Sequence, residues 1–372
     1  LKLRQEATAG DGGSVSTGSS AGHGGNAYSS LTTTNPGGGG LDGTVQSVSG
    51  TGGGAGGTAT PGNGGDATAI IHLTGNNTVL TNTNGFAGFG GTGGVGGSLR
   101  GLGIASSRSS TVGGFLASAR TTASGRTSTG TSQSDTSVGA ITSASLIANA
   151  TNQPNSQTET FTTAGGTFGS LVGFHSMLNS SLLPAAATVN TNLVGDLLVS
   201  AAYNSPDGKT PLALVAMGLN TPNTTPSATP TLSVRHDFSF NLAALTAGNL
   251  LVGLLDPVSS GPGFTTLHFT IEREGAIVRN ETFATLASAM IYFDNNPIDL
   301  GAMATGVVGT LDLSIALEMI SPDNNTKFGT TLLVADVGLA TMMGLPGDYN
   351  DDDKVDAADY TVWRDNLGAA IA

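Results

Sequence analysis

Ala9-Gly10-Asp11-Gly12-Gly13 begins the stretch on which the folding of this chain turns. The same short unit returns as Ala21-Gly22-His23-Gly24-Gly25 and as Pro61-Gly62-Asn63-Gly64-Gly65-Asp66-Ala67. Period-three runs accompany it, Gly53-Gly54-Ala55-Gly56-Gly57 and Gly90-Gly91-Thr92-Gly93-Gly94-Val95-Gly96-Gly97. From Ala7 to Leu99 the only charges are Asp11, Asp42 and Asp66, and the only aromatics are Tyr28, Phe86 and Phe89. With so little to bury, such a segment defaults to disorder unless its backbone supplies the cohesion. Two ordered forms meet that condition. Three-residue-per-turn helices of the polyproline II type pack closely when glycine removes the side chains, and bond backbone to backbone. Short strands with glycine corners stack instead as a solenoid or a lattice of hairpins. Ala67 to Thr74, then Gly75-Asn76-Asn77, then Thr78 to Thr81 read as one hairpin, with His72 on a strand surface. The glycines are no phosphate cradle, because no Lys follows them and no βαβ pattern surrounds them.

The composition then shifts. Residues 103–165 are rich in Ser, Thr, Ala and Asn, with Arg108, Arg120 and Arg126 as scattered cations. This reads as β-rich connecting material, a stalk or a linker, and its hydroxyl density suits O-glycosylation. N-linked sequons at Asn149, Asn223, Asn280 and Asn324 add to a possible glycan coat, though so many Asn and Thr give matches by chance.

Residues 166–345 carry a conventional core. Val234, His236, Phe238, Phe240 and Leu242 alternate with polar neighbours, as do Leu267, Phe269 and Ile271, and Leu311, Leu313, Ile315, Leu317 and Met319. A turn near Glu274-Gly275 and a return strand from Ile277 to Phe283 complete the pattern of an antiparallel β-sandwich. One short helix is expected over Ala284–Phe293. The sequel, Phe293 to Gly301, resembles a loop of bacterial exported proteins with C-terminal sorting signals. The expected fold is mainly β: a Gly-rich region 1–102, polyglycine II-like or β-solenoid, a connecting region 103–165, a sandwich 166–345, and a calcium loop and helix 346–372.

That last region reads Asp348-Tyr349-Asn350-Asp351-Asp352-Asp353-Lys354-Val355-Asp356-Ala357-Ala358-Asp359. Oxygen side chains at positions 1, 3, 5, 9 and 12 match the spacing of an EF-hand loop, with a backbone carbonyl from position 7. The expected calcium ligands are Asp348, Asn350, Asp352, the Lys354 carbonyl, Asp356 and Asp359. The run from Gly347 through Tyr360 and Trp363 resembles a type I dockerin repeat of secreted planctomycete proteins. Dockerins carry two such repeats, and one is present here. The resemblance implies Ca2+ binding and raises docking onto a cohesin as an alternative role.

A formal charge of -13 argues against nucleic acid and anionic membrane surfaces. No apolar run reaches a membrane span, and Leu1-Lys2-Leu3-Arg4 is no signal peptide, so a processed form is expected. The chain has no cysteine, hence no disulfide staple. Its histidines are scattered without metal or relay spacing, and Gly18-Ser19-Ser20-Ala21-Gly22 lacks the strand-turn-helix of a nucleophile elbow. No enzyme is expected, with a polysaccharide-active enzyme as the alternative. The sequence points to a secreted structural or adhesive surface or matrix protein. Leu1 to Ala7 alternates as a strand, with Leu1 and Leu3 on one face. It either completes the sandwich edge of the next subunit, building a homopolymeric fibre, or folds back on its own sandwich.

Overall fold

The computed structural model describes residues 1–96, 98–112, 117–136, 140–151, 156–164, 176–204, 208–221, 229–322 and 325–338. The fold is mainly β. Eight strands open the chain: β1 (Lys2–Thr8), β2 (Ala27–Asn35), β3 (Leu41–Val48), β4 (Ala67–Gly75), β5 (Val79–Phe86), β6 (Gly103–Thr111), β7 (Ala117–Gly125) and β8 (Ser128–Thr136). The odd-numbered strands pair in parallel in one sheet and the even-numbered ones in the other. Each coil of this solenoid therefore contributes one strand to each sheet. Partners lie 40 residues apart between the first and second coils. On the even side they lie 36 apart between the second and third. Inward and outward residues alternate along β3, β4 and β5, so a small core of Leu41, Val45, Ala69, Ile71, Leu73 and Val79 forms between the sheets.

Here the structure corrects the hairpin read at Ala67–Thr81. β4 and β5 lie in different sheets and do not pair. The two strands face each other across the small core from opposite sheets, the geometry of a β-arch, instead of lying side by side as in a hairpin.

The pattern changes at β7 and β8, which only Arg126 and Thr127 separate. Onto them, in antiparallel fashion, pair β10 (Ser156–Ala164) and β9 (Ile141–Thr151) respectively. Residues 103–165, read from composition as connecting material, thus supply β6 to β10 inside both sheets. Hydroxyls share the interior there with small apolar side chains such as Ala105, Ala119 and Ala144. Thr81 and Ser109 bond at 2.8 Å, Ser107 donates to Thr81 at 2.6 Å, and Thr121 and Thr160 meet at 2.6 Å with Ser132 against them.

The remaining elements are β11 (Ser176–Leu182), α1 (Ala186–Asn192), α2 (Leu197–Tyr203), β12 (Lys209–Asn220), β13 (Thr231–Asn241), β14 (Gly248–Ser260), β15 (Thr266–Arg273), β16 (Ala276–Phe283), α3 (Leu286–Phe293), β17 (Asn296–Ala302), β18 (Thr310–Ile320) and β19 (Lys327–Gly338). One sheet runs β1-β3-β5-β7-β10-β11-β12-β19-β14-β17, and the other β16-β15-β18-β13-β9-β8-β6-β4-β2. Solenoid and antiparallel sandwich thus share both sheets. The sandwich core packs Phe238, Phe240, Phe269, Phe293 and Phe328 among Leu, Ile and Val from both sheets. α1 and α2 cover the outer face of β12, β14 and β19, where Val189, Val199 and Tyr203 meet Leu214, Leu251 and Leu333. Those strands are buried on both faces and read as continuous apolar runs.

Candidate interaction surface

Three glycine arms leave the solenoid, between β1 and β2, β3 and β4, and β5 and β6, and stack on one another. Each runs out and back. Their hydrogen bonds repeat every three residues, and in the second arm every N–H of two triplets is bonded. Gly50 donates to Gly25 O, Thr51 to Asp11 Oδ1 at 2.7 Å, and Gly52 to Phe89 O. Gly53 donates to Gly22 O, Gly54 to Ser14 Oγ at 3.0 Å, and Ala55 to Thr92 O. The return limb repeats the scheme. Gly62, Gly64 and Gly65 donate to backbone carbonyls, Asn63 to His23 Nδ1 at 2.9 Å, and Asp66 to Asn26 Oδ1 at 2.8 Å. One N–H per triplet crosses to the opposing limb, one reaches the same limb of the next coil, and one is taken by an outward side chain. This three-fold period is that of the polyproline II helix, and the arms therefore combine the two ordered forms expected from the glycine pattern.

The outward acceptors do more than face water. Asn63 and Asp66, bonded to the first coil, in turn accept from Leu99 and Leu102 of the third. The Thr51 N–H holds the exposed Asp11 carboxyl below its ordinary value. Arg100 closes the stack at its far end. It donates to Ala87 O and to Ser124 Oγ at 3.0 Å and lies 4.2 Å over the Phe89 ring, and burial pulls its pKa down to about 10.

Close packing explains the glycines. A Cβ at Gly50, Gly53, Gly62, Gly65, Gly88 or Gly91 would overlap a carbonyl of the preceding coil. Gly10 and Gly13, at the matching places of the first coil, meet nothing within 4 Å. The face they form, flanked by the edge strands β1 and β2, is the open end of the solenoid. Of the strand expected at Leu1–Ala7, Leu3 packs on the small core, while Leu1 is exposed. β1 pairs in parallel with β3 of its own chain.

Other candidate chemistry is distributed otherwise. The calcium ligands expected at Asp348, Asn350, Asp352, Lys354, Asp356 and Asp359 lie outside the described residues, as does His175. Among the described residues no three His, Asp or Glu groups come together as a metal site. His72 sits on the strand surface, where partial burial and Arg108 lower its pKa. Asp196, just before α2, is buried, and burial with Asp256 and Asp294 nearby pushes its carboxyl up to about 6. Asn295 caps α2 in its place, accepting from the Leu198 and Val199 N–H groups at 2.8 and 3.1 Å. The pairs Asp11/Ser14, His23/Asn26 and Asn63/Asp66 escape a reading based on charge. Their spacing of three within the glycine period is the signal that exposes them.

No family model and no curated protein matches the chain. Solved structures with a slight likeness include the following two. One is TmCBM61 in complex with β-1,4-galactotriose, at 13% identity and a TM-score of 0.17, covering 36% of this chain and 76% of that one. The other concerns carbohydrate-binding modules of the β-sandwich superfamily described as promiscuous in specificity, at 8% identity and a TM-score of 0.15, covering 52% and 73%. At these scores neither likeness carries an argument about fold or function.

Proposed function

We propose that this chain is a secreted structural or adhesive module of a bacterial surface or matrix, self-associating through its N-terminal region and holding one calcium ion near its C-terminus. The observation that carries this reading is the bonded glycine stack. An extension of the two sheets is held together by backbone hydrogen bonds rather than by side-chain burial. Such an extension suits a spacer or scaffold. The acidic charge of -13 suits a protein that stays soluble and is bridged by divalent cations. For the calcium ion, Asp348, Asn350, Asp352, Asp356 and Asp359 supply the hard oxygen donors that calcium prefers.

Titration calorimetry of the chain with calcium chloride is expected to give one site, lost in Asp348→Ala, and a panel of polysaccharides is expected to remain uncut. No calcium-dependent heat in the wild type removes the metal from this reading. Turnover of a glycan replaces it with the polysaccharide-active enzyme, and tight capture by a cohesin replaces it with a docking module.

A further inference from the structure

Of the 14 prolines in the chain, only Pro257 follows an aspartate. Asp256-Pro257 forms a bulge in β14. Leu255 pairs with Thr331 and Val258 with Gly329, so the two residues oppose Thr330 alone. Asp256 has a φ of 44°, in the left-handed region, whereas a residue before proline is ordinarily driven to extended backbone. Glycine would take this place with less strain, and the chain uses 57 of them elsewhere. Two other non-glycine residues of positive φ put their side chains to structural use. Glu274, φ 52°, accepts from the Asp312 N–H at 2.6 Å, and Asn295, φ 51°, caps α2. Asp256 is exposed, and no hydrogen bond or ion pair among the described residues holds its carboxyl. This aspartate is costly and makes no structural bond, which leaves its carboxyl free to react.

The surroundings hold a proton beside it. β14 pairs with β17 through Leu254 and Asn296, which brings Asp256 toward Asp294 at the end of α3. Asp196, at the start of α2, lies within electrostatic reach of both. It is 3% exposed, and its Oδ2 has no hydrogen-bond partner among the described residues. Burial first, and then the two neighbouring carboxylates, push it up to about 6, so it takes a proton in mildly acid solution. The Lys209 amine is turned away, bonding Asn204 and lying 5.0 Å over the Tyr203 ring at the other end of α2.

We propose that the Asp256–Pro257 bond is a self-cleavage site. A side-chain oxygen of Asp256 adds to that residue's own backbone carbonyl carbon and closes a five-membered ring. The adduct collapses by breaking the bond to the Pro257 nitrogen, which takes the proton from Asp196 and leaves as a secondary amine. Water then opens the cyclic anhydride, leaving Asp256 as a new carboxyl end and Pro257 as a new amino end, and a proton returns to Asp196. Strand pairing keeps the pieces together, because β19 of the second lies between β12 and β14 of the first, and β18 pairs with β13.

The full chain held near pH 5 is expected to give fragments 1–256 and 257–372 by mass spectrometry, while its size under native conditions stays unchanged. Cleavage should be at least about tenfold faster in the folded protein than in the chain unfolded by urea at the same pH. In heavy-oxygen water the label should enter either carboxyl of Asp256, whereas a contaminating protease labels the terminal one alone. Asp256→Asn, which tolerates the left-handed backbone, should remain whole. Asp196→Asn should melt with the wild type yet lose the rise in rate between pH 7 and 5. A chain that stays whole near pH 5, equal rates folded and unfolded, label in the terminal carboxyl alone, or cleavage undiminished in Asp256→Asn overturns the proposal. A pH profile unmoved in Asp196→Asn overturns the assignment of the proton to that residue.

Discussion

His236 shows how far one residue can depart from its ordinary behaviour in this core. It lies on the inner face of β13, fully buried, with its ring stacked 3.6 Å from that of Phe238. Burial disfavours the imidazolium and pulls the pKa from 6.5 to about 3, so the ring is neutral and packs as an aromatic. The unfolded chain takes up the proton more readily. Stability contributed by neutral His236 is therefore fully present above about pH 6.5 and is lost as pH falls toward 3. The loss amounts to a few kcal/mol, on the order of 1.4 for each pH unit between the two pKa values. Denaturant unfolding of His236→Phe against wild type from pH 7 to 4 should remove most of that acid limb. Parallel acid losses in both proteins would assign it to other groups. The alternation of Val234, His236, Phe238 and Phe240 placed this side chain inward from the sequence. Its neutrality follows from the second sheet laid over it, which no local pattern records.

The glycine arms are where chemistry and geometry are tied most closely. Gly53 and Gly13 occupy the same place in successive coils, yet a Cβ overlaps Gly13 O in one case and meets open space in the other. Gly53→Ala is expected to cost about 1–3 kcal/mol, the usual range for overpacking. Gly13→Ala should stay within about 0.5 kcal/mol of wild type. Thermal melting of both, below any concentration that supports association, checks the contrast, and equal effects would mean the stack is looser than the bonding implies. The period of three and the two ordered forms were legible in the sequence, because glycine spacing directly reports where backbones must approach. The fate of β4 and β5 was not. Gly75-Asn76-Asn77 turns a chain equally well within a sheet or across to the facing one. What decides is which strands flank each of them, and those partners, β2 and β6 for β4 and β3 and β7 for β5, come from distant sequence.

Across the whole molecule, two sheets of ten and nine strands run unbroken from the first coil to the far edge. Composition suggested divisions near residues 102 and 165 because the filling of the interior changes there. Larger apolar side chains dominate both ends, while in the middle Thr81, Thr83, Ser107, Ser109, Thr121, Ser132 and Thr160 are buried among alanines. β13, β15 and β18 were readable through period two, whereas β12 and β14, covered on both faces, show no alternation to read. The hydroxyl interior has a thermal consequence. Unfolding apolar surface into water raises the heat capacity, and unfolding polar surface lowers it. A body whose middle is closed by hydroxyls, and whose arms are closed by peptide groups, should therefore unfold with a heat-capacity increment well below the usual 12–15 cal/mol/K per residue. Scanning calorimetry at several pH values, read as the slope of unfolding enthalpy against melting temperature, measures it, and an ordinary increment would contradict the expectation. A small increment flattens the stability curve, so this chain should hold its shape in the cold, where proteins closed by oil-like cores lose part of their grip.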